Sequence, residues 1–398
     1  MTDLIAAHPF AATGHRDRHA IYDALNRRGP VHRVPLPNGT EGWLVTGYDT
    51  ARIALTDQRL VKRGPASGPY ARQLPPDITA AVYHSMLDQN PPDHTRLRKL
   101  VAAAFTRRRS EQLAPRVQEI TDALIAGFAD RDRVDLLTAF AYPLPITVIC
   151  ELLGVPPGDR HLFRMWIGPL VAGLMSPFEE FAAAATALVH YTRELLARKR
   201  AEPADDLLSA LVAVRDGADA LTEDELTSMV FLLLAAGHET TVNLILNGML
   251  ALLEHPDQLA GLRTRPDRIG AAVEELLRYD GPVQTALPLV CVAPMTLAGI
   301  ELRPREIVLV SPLAASRDPA TAHDAARLDV FRDSPHLAFG YGVHHCLGAP
   351  LARVEGRIAL GTLVSRFPRM RLAVPAAELV RPAGMVINGL TALPVTPR

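Results

Sequence analysis

The spacing of apolar residues predicts a chain that is mainly helical between residues 94 and 280. In the segment 94–105, Leu97, Leu100 and Val101 fall on one helical face, as the 3.6-residue period requires. The same reasoning predicts further helices over residues 110–128, 268–279 and 350–367. It also predicts two helices between residues 160 and 200, separated by a break near Gly173 and Pro177.

The longest predicted helix begins at a capping signal. Thr222 and Glu225 have the spacing of a capping box, in which each side chain accepts a hydrogen bond from the backbone N–H of the other residue. The next proline is Pro256, so the helix can continue for about 50 Å at 1.5 Å per residue. A helix of that length can cross a whole domain.

Two regions have strand-like patterns. Residues 31–47 contain two short apolar pieces around a turn-rich centre, which predicts a hairpin, and residues 283–312 contain further strand-like pieces. Prolines and glycines interrupt residues 63–93, and such irregular segments are commonly binding loops. Together these patterns predict one domain over residues 1–398, mainly α with a small β portion.

Composition and charge narrow the class of protein. The chain has 398 residues, of which 48% are hydrophobic, and this is enough for a large core. The formal net charge of -1 gives no support to a nucleic-acid partner. The N-terminal residues resemble neither a signal peptide nor an anchor, and uninterrupted apolar runs are about half of the ~20 residues that span a bilayer. We therefore expect a soluble, cytoplasmic protein without a membrane or nucleic-acid partner, and a monomer.

Three widely spaced cysteines, Cys150, Cys291 and Cys346, form no disulfide framework, which suits a reducing compartment. Cys150 lies in an apolar run and is expected to pack as a small hydrophobic residue. Cys346 differs, because it follows a glycine-rich loop and precedes a predicted helix that has Pro350 near its start. A helix N-terminus stabilises a thiolate. The residues alone leave open whether Cys346 is a nucleophile or a metal ligand.

The loop containing Cys346 resembles the haem-ligating loop of the cytochrome P450 family, FGxGxHxCxG. Six positions match the pattern, namely Phe339, Gly340, Gly342, His344, Cys346 and Gly348. The resemblance implies the cytochrome P450 fold, with haem b held between the long central helix and the cysteine loop. It also implies that Cys346 is the axial ligand of the haem iron, and that Phe339, Gly340 and Gly348 contact the cofactor.

A second motif lies at the midpoint of the long helix. Residues 236–240 resemble the oxygen-activation motif of the same family, A/G-G-x-D/E-T, and an acid beside an alcohol can relay protons. The resemblance makes Glu239 and Thr240 the catalytic residues and places Ala236 against the haem. A zinc-binding HExxH is excluded, because position 242 is a valine.

The remaining motifs concern support of the loop and of the haem propionates. Glu275 and Arg278 resemble the family's ExxR pair, with Arg332 as the usual third member of a buried structural network. By resemblance, His94, Arg98 and His344 bind the propionates. Leu289 occupies the position where family members commonly carry another propionate-binding arginine, so this contact is expected to be missing or replaced.

The resemblance implies a haem-thiolate monooxygenase that hydroxylates or epoxidises an apolar small molecule, such as a secondary metabolite or a xenobiotic. Because the chain has no dinucleotide fingerprint and no iron–sulfur cysteine cluster, electrons are expected from a ferredoxin or flavodoxin with its NAD(P)H reductase. Candidate docking charges are Arg107, Arg108, Arg109, Arg353 and Arg357. Two alternatives stay open, which are a peroxide-driven peroxygenase and a haem-based ligand sensor. A sensor needs an output module, and no segment is evident for one.

Overall fold

The computed structural model describes residues 9–11, 13–62, 68, 70–215, 221–322 and 324–398. Its α-helices are His15–Arg28, Tyr48–Ala54, Pro76–Tyr83, Asp93–Ala102, Arg107–Gln112, Ala114–Ala126, Pro143–Leu153, Arg160–Ala172, Phe178–Ala201, Leu207–Arg215, Glu223–Glu254, Pro256–Thr264, Ile269–Asp280, Pro312–Ala315 and Ala349–Arg366. Its strands are Thr13–Gly14, Val31–Pro35, Glu41–Val45, Leu60–Lys62, Val134–Asp135, Leu289–Cys291, Met295–Leu297, Ile300–Leu302, Ile307–Val310, Arg371–Leu372, Val380–Arg381 and Pro394–Thr396. The predicted class, mainly α with a small β portion, is confirmed.

Two compact units can be distinguished. One comprises residues 1–60, 110–144 and 240–398, and the other comprises residues 61–109 and 145–239. In the second unit, the helix Pro76–Tyr83 packs on Phe178–Ala201 through buried residues such as Ile78 and Phe181. The long helix Glu223–Glu254 contributes residues to both units. The expectation of a single domain over residues 1–398 stays a prediction.

The largest sheet has five strands in the spatial order Val31–Pro35, Glu41–Val45, Ile307–Val310, Leu289–Cys291 and Leu60–Lys62. The first two pair antiparallel with Val31 opposite Val45, which confirms the predicted hairpin. The pairing of Trp43 with Val308 is parallel, and that of Leu289 with Val308 is antiparallel. The strand region predicted over residues 283–312 therefore lies partly in the same sheet as the hairpin.

The start of the long helix matches its sequence signal. The Thr222 N–H donates to the Glu225 carboxylate at 2.9 Å, and the Glu225 N–H donates to the Thr222 hydroxyl at 3.1 Å. The helix Glu223–Glu254 has 32 residues, or about 48 Å at 1.5 Å per residue. The capping box and the length of this helix are confirmed.

One local prediction is wrong in part. The helix predicted over residues 110–128 is two helices, Arg107–Gln112 and Ala114–Ala126. Pro115 lacks an N–H for a continuous helix but fits within the first turn of a new one. The irregular segment over residues 63–93 contains a short helix, Pro76–Tyr83, and its role as a binding loop stays a prediction. Residues 63–67 and 69 lie outside the described residues.

By length and composition alone, the helix Glu223–Glu254 could cross a membrane. The sequence analysis did not predict this, because it considered only uninterrupted apolar runs. Buried core helices of water-soluble proteins pass the same test. In its most apolar stretch, 61% of the residues are buried within the protein.

Candidate active site

The loop before Cys346 is folded by backbone hydrogen bonds and by two glycines. The Cys346 N–H donates to the Phe339 carbonyl at 2.8 Å, which closes the loop. Gly340 and Gly342 have φ values of 71° and 72°, a region that favours glycine. A Cβ on Gly342 would also lie 2.9 Å from the Leu55 carbonyl oxygen. The chain therefore needs glycine at these two positions to present Cys346 as it does.

Cys346 is the exposed cysteine of the three, since Cys150 and Cys291 are buried. Burial raises the pKa of the Cys150 thiol to about 12, which keeps it protonated and confirms its role as a core residue. An exposed thiol on a loop is available to a ligand, whereas a buried one is not.

The helix after the loop begins close to Cys346. It spans Ala349–Arg366, Gly348 is its N-cap, and Pro350 lies in its first turn. This placement near a helix N-terminus agrees with the sequence prediction. Gly348 itself has a φ of −79°, and a Cβ there would make only an ordinary contact with the Cys346 Sγ. The backbone therefore does not require glycine at position 348.

An ion-pair cluster that the sequence analysis missed holds the loop and the helix after it. Arg353 donates two hydrogen bonds to the Glu274 carboxylate, and the His336 Nε2 lies 3.1 Å from the same carboxylate. Burial alone raises the pKa of Glu274, but hydrogen bonds and charge from Arg353 and His336 outweigh it and lower the pKa to about 2. The Arg353 guanidinium also lies 4.4 Å from the centre of the Phe339 ring.

Glu275 and Arg278 form a fully buried bidentate pair. The Arg278 Nε and Nη2 donate to the Glu275 carboxylate at 2.6 and 2.9 Å. The remaining N–H groups of Arg278 donate to backbone carbonyls, those of Ser316, Ala325 and Arg327. All donors of this buried guanidinium are satisfied, as a charge removed from water requires.

Arg332 lies at the edge of this network. Its Nε is 3.9 Å from the Glu275 carboxylate, which is too far for a hydrogen bond. Its guanidinium donates instead to the Asp324 carbonyl at 3.3 Å. The Asp329 N–H, at 2.9 Å, is a closer partner of Glu275. Arg332, the predicted third member of the network, therefore lies farther from the Glu275 carboxylate than Arg278 does.

The midpoint of the long helix is open on one face. Ala236 is exposed, and Glu239 and Thr240 are half-buried, whereas residues 241–252 of the same helix are all buried. Positions i, i+3 and i+4 lie on one face of a helix. This face carries the predicted acid, the predicted alcohol and the alanine expected against the haem.

The neighbours of that motif explain its other residues. A Cβ on Gly237 would lie 3.0 Å from a side-chain carbon of Ile149, so glycine permits close packing there. His238 is buried, its Nδ1 lies 2.9 Å from the Leu234 carbonyl, and burial lowers its pKa. His238 is therefore a core residue, and its neighbour Glu239 remains partly accessible.

His94 and Arg98 lie one turn apart on the helix Asp93–Ala102. His94 is buried, and burial together with the positive charges of Arg98 and Lys62 lowers its pKa. The positive charges of these basic side chains would stabilise an anion bound beside His94. Lys62 is a further residue that sequence reasoning missed.

The other predicted propionate positions differ in character. His344 ends the short helical turn Gly342–His344 and is half-buried. Leu289 is buried and packs in one apolar cluster with Leu60 and Cys291. The position where family members commonly carry an arginine is therefore part of the hydrophobic core.

Two of the candidate docking arginines have local partners. Arg353 pairs with Glu274, and Arg357 donates to Glu111 at 2.8 Å. The other three, Arg107, Arg108 and Arg109, are exposed. The ion pair of Arg353 with Glu274 therefore indicates that Arg353 mainly stabilises the cysteine loop.

Comparison with known proteins identifies the family. The model of the family described as cytochrome P450 matches residues 160–372. The chain is 47% identical to the cytochrome P450 monooxygenase PikC of Streptomyces venezuelae, over 95% of this chain and 91% of the relative. It is 44% identical to the mycinamicin IV hydroxylase/epoxidase of Micromonospora griseorubida, over 94% of each chain.

A solved structure agrees with these relatives. The tirandamycin C-bound P450 monooxygenase TamI superposes with a TM-score of 0.89 at 44% identity, covering 96% of this chain and 98% of that one. The chain therefore belongs to the cytochrome P450 family, and it is a monooxygenase whose cofactor is haem b.

Proposed function

We propose that this monooxygenase receives electrons from a separate ferredoxin or flavodoxin with its NAD(P)H reductase, and that it hydroxylates or epoxidises an apolar small molecule. The observation that carries the proposal is the exposed Cys346, which two positive-φ glycines present beside a helix N-terminus. A thiolate in that position is a haem ligand rather than a core residue.

The residues present fit haem. Cys346 supplies an exposed sulfur ligand, and the exposed Ala236 lies on the open face of the long helix. We assign the remaining cofactor contacts to Phe339, Gly340 and Gly348, and the propionate contacts to His94, Arg98 and His344. When bound, thiolate-ligated haem supplies the oxygen activation, because thiolate donation favours O–O cleavage.

The chain's own residues have two roles in the reaction, which are the delivery of protons and the structural support of the cysteine loop. The Glu239 carboxylate is partly exposed and can exchange protons with water, and the neighbouring Thr240 hydroxyl can pass them on. Glu275 and Arg278, with Arg332 at the edge, hold the backbone that supports the cysteine loop. Of the residues named here, we assign catalysis to Glu239 and Thr240 and a structural role to the buried pair.

The substrate is proposed by analogy with the relatives. The Micromonospora relative is named a hydroxylase/epoxidase of mycinamicin IV, and TamI was solved with tirandamycin C. Both names favour a secondary metabolite over a xenobiotic as substrate. We further propose a soluble, cytoplasmic monomer that does not insert into a membrane. We also propose that it does not bind nucleic acid, since the net charge of -1 offers no polyanion-binding surplus.

Two alternatives make different demands on the same site. A peroxide-driven peroxygenase would not need the acid–alcohol pair, because ready-made peroxide supplies its own protons. A haem-based ligand sensor would need neither the proton pair nor a redox partner. The half-buried Glu239 and Thr240 on one open helix face favour the monooxygenase.

The decisive experiment compares Cys346→Ala with Cys291→Ala, which removes a buried cysteine. Reduced, carbon monoxide-treated wild type and Cys291→Ala are expected to give the thiolate-type spectrum, and Cys346→Ala is expected to lose it. A histidine-type spectrum in the wild type would contradict the proposal. Turnover with ferredoxin and reductase, measured against turnover with peroxide alone, then separates the monooxygenase from the peroxygenase.

A further inference from the structure

A short two-stranded ribbon joins residues 282–284 to residues 386–388. Two backbone hydrogen bonds, at 2.7 and 2.8 Å, connect the two segments. Between these bonds, Val283 lies opposite Ile387 in an antiparallel bridge. The whole ribbon lies in the compact unit that contains residues 240–398, so its geometry is defined within one unit.

The two faces of this ribbon have an unusual polarity. Successive side chains of a strand point to opposite faces, so Val283 and Ile387 share one face. Gln284 and Asn388 lie on the other face and are fully buried, at 0% exposure, whereas the two apolar residues are half-buried. Buried amides beside accessible apolar residues reverse the usual pattern of a strand. An accessible apolar face suits a small-molecule site, since such sites are lined mainly by apolar side chains.

The ribbon ends beside the face of the long helix that carries Thr240. A Cβ on Gly389, the residue after the ribbon, would lie 2.5 Å from the Asn243 side-chain oxygen. The Asn247 amide donates to the Asn388 carbonyl at 2.8 Å. Thr240, Asn243 and Asn247 have the spacing i, i+3 and i+7, which places them on one face of the helix. The ribbon therefore meets the long helix about one turn beyond the hydroxyl to which we assign proton delivery.

Asn388 also connects the ribbon to a second helix. Its Nδ2 donates to the Asp280 carboxylate at 2.7 Å and to the Gly281 carbonyl at 2.9 Å. Asp280 is the last residue of the helix Ile269–Asp280, and Arg381 binds the same carboxylate. Burial alone raises the pKa of Asp280, but the charge of Arg381 and the hydrogen bonds to the carboxylate outweigh it and lower the pKa. The carboxylate is therefore ionised, and hydrogen bonds to an ionised acceptor are strong.

We propose that Asn388 is a positioning residue for the substrate, because it fixes the apolar face of the ribbon, Val283 and Ile387, relative to the Thr240 face of the long helix. The inference rests on the proposed function, since it requires an apolar substrate bound on the Thr240 face. Without the Asn388 amide, the ribbon keeps its backbone pairing but loses its charge-assisted bond to the second helix. A shift of only about 1 Å in the apolar face would already disturb the placement of a bound molecule.

The test uses two probes that coordinate ferric haem, imidazole and 4-phenylimidazole. Both bind through a ring nitrogen, but only the phenyl group of the second probe reaches the apolar walls of the site. Spectral titration of holoprotein gives the dissociation constant of each probe for wild type, Asn388→Ala, Ile387→Ala and the double variant. Gln258→Ala is the matched control, because its half-buried amide also bonds a backbone group, the Val330 N–H at 3.0 Å, outside the ribbon.

We expect wild type to bind 4-phenylimidazole at least about tenfold more tightly than imidazole, because the phenyl group is buried. Asn388→Ala and Ile387→Ala should each weaken the binding of 4-phenylimidazole about fivefold, and that of imidazole by less than about twofold. Asn388→Ser, which keeps a hydrogen-bond donor, should lose less than Asn388→Ala, and Gln258→Ala should match wild type. In the double variant the two losses should add only in part, because Asn388 acts through the side chain that Ile387→Ala removes.

Three results would overturn the inference, which are an unchanged 4-phenylimidazole affinity in Asn388→Ala, equal weakening of both probes, and strictly additive losses in the double variant. If Asn388→Ala does not keep the thiolate-type spectrum, Asn388→Ser takes its place in the same comparison, and an affinity equal to that of wild type would then overturn the inference. A wild type without thiolate-ligated haem would instead refute the proposed function.

Discussion

The carboxylate of Glu274 accepts two hydrogen bonds from the Arg353 guanidinium, at 2.8 and 2.7 Å. Its chain neighbour Glu275 binds Arg278 and the Asp329 N–H. Two consecutive glutamates of the helix Ile269–Asp280 therefore hold two different segments. Glu274 holds the cysteine loop and its helix, and Glu275 holds the chain that leads to that loop.

Glu274→Gln should weaken the support of the cysteine loop. The variant loses a charge-assisted bidentate pair, and because both side chains are more than a third exposed, we expect a loss of only about 1 kcal/mol in the free energy of unfolding. Chemical denaturation of the holoprotein measures this loss, and the fraction that keeps the thiolate-type spectrum measures the loop. The matched control is Glu111→Gln, which removes the more exposed partner of Arg357 and should change neither quantity measurably.

Acid should remove the stabilisation that Glu274 provides. Its pKa falls from the usual 4.5 to about 2 in the folded protein, because Arg353 and His336 outweigh burial. A lowered carboxyl pKa stabilises the fold above pH 4.5, and that contribution is lost as the pH falls from 4.5 towards 2. The stability difference between wild type and Glu274→Gln should therefore shrink over this range in denaturation curves. A difference that stays constant with pH would contradict the assignment.

Glu275→Gln should be far more damaging than Arg332→Gln. The first leaves the buried guanidinium of Arg278 without its counter-ion, at a cost of about 3–5 kcal/mol. The second removes a 3.9 Å contact and should cost below about 1 kcal/mol. The free energy of unfolding and the haem content of the purified proteins measure both effects. Equal losses would mean that Arg332 is a full member of the network.

Signals carried by adjacent residues were predictable from the sequence. The capping box of Thr222 and Glu225 fixed the start of the long helix, since both hydrogen bonds depend on spacing alone. The glycines at positions 340 and 342 predicted the turn before Cys346 for the same reason. Local stereochemistry determines such features, so one segment of the chain contains all the information.

Features that depend on distant partners were not predictable. The hydrogen bond between Arg353 and Glu274 joins residues 79 positions apart, and no local pattern singled out Glu274 from other helical acids. The buried Lys62 was missed in the same way, because its burial depends on neighbouring elements. The break before Pro115 could have been predicted, since proline interrupts a continuous helix, but the apolar period extended across it.

Glu355 should make the protein less stable as the pH rises. The side chain is buried, and burial raises the pKa of its carboxyl to about 8. The folded protein keeps this proton when the unfolded chain has released it, so the contribution of Glu355 to the free energy of unfolding should fall by about 1.4 kcal/mol per pH unit between roughly pH 5 and 8. Glu355→Gln should remove this slope, being close to wild type at pH 5 and more stable at pH 8. The thermal midpoints of wild type and Glu355→Gln at pH 5 and pH 8 test this. The same difference between the two proteins at both pH values would contradict it.

Thr240→Ala should separate electron consumption from product formation. The half-buried hydroxyl lies on the open face of the long helix beside Glu239, where it can pass on protons. Without it, electrons from the partner should leave increasingly as hydrogen peroxide, and product per NAD(P)H should fall severalfold while the thiolate-type spectrum is kept. Thr240→Ser is the matched control, because it retains the hydroxyl and should stay close to wild type. Unchanged coupling in Thr240→Ala would exclude this hydroxyl from proton delivery, since the variant removes it without touching Cys346.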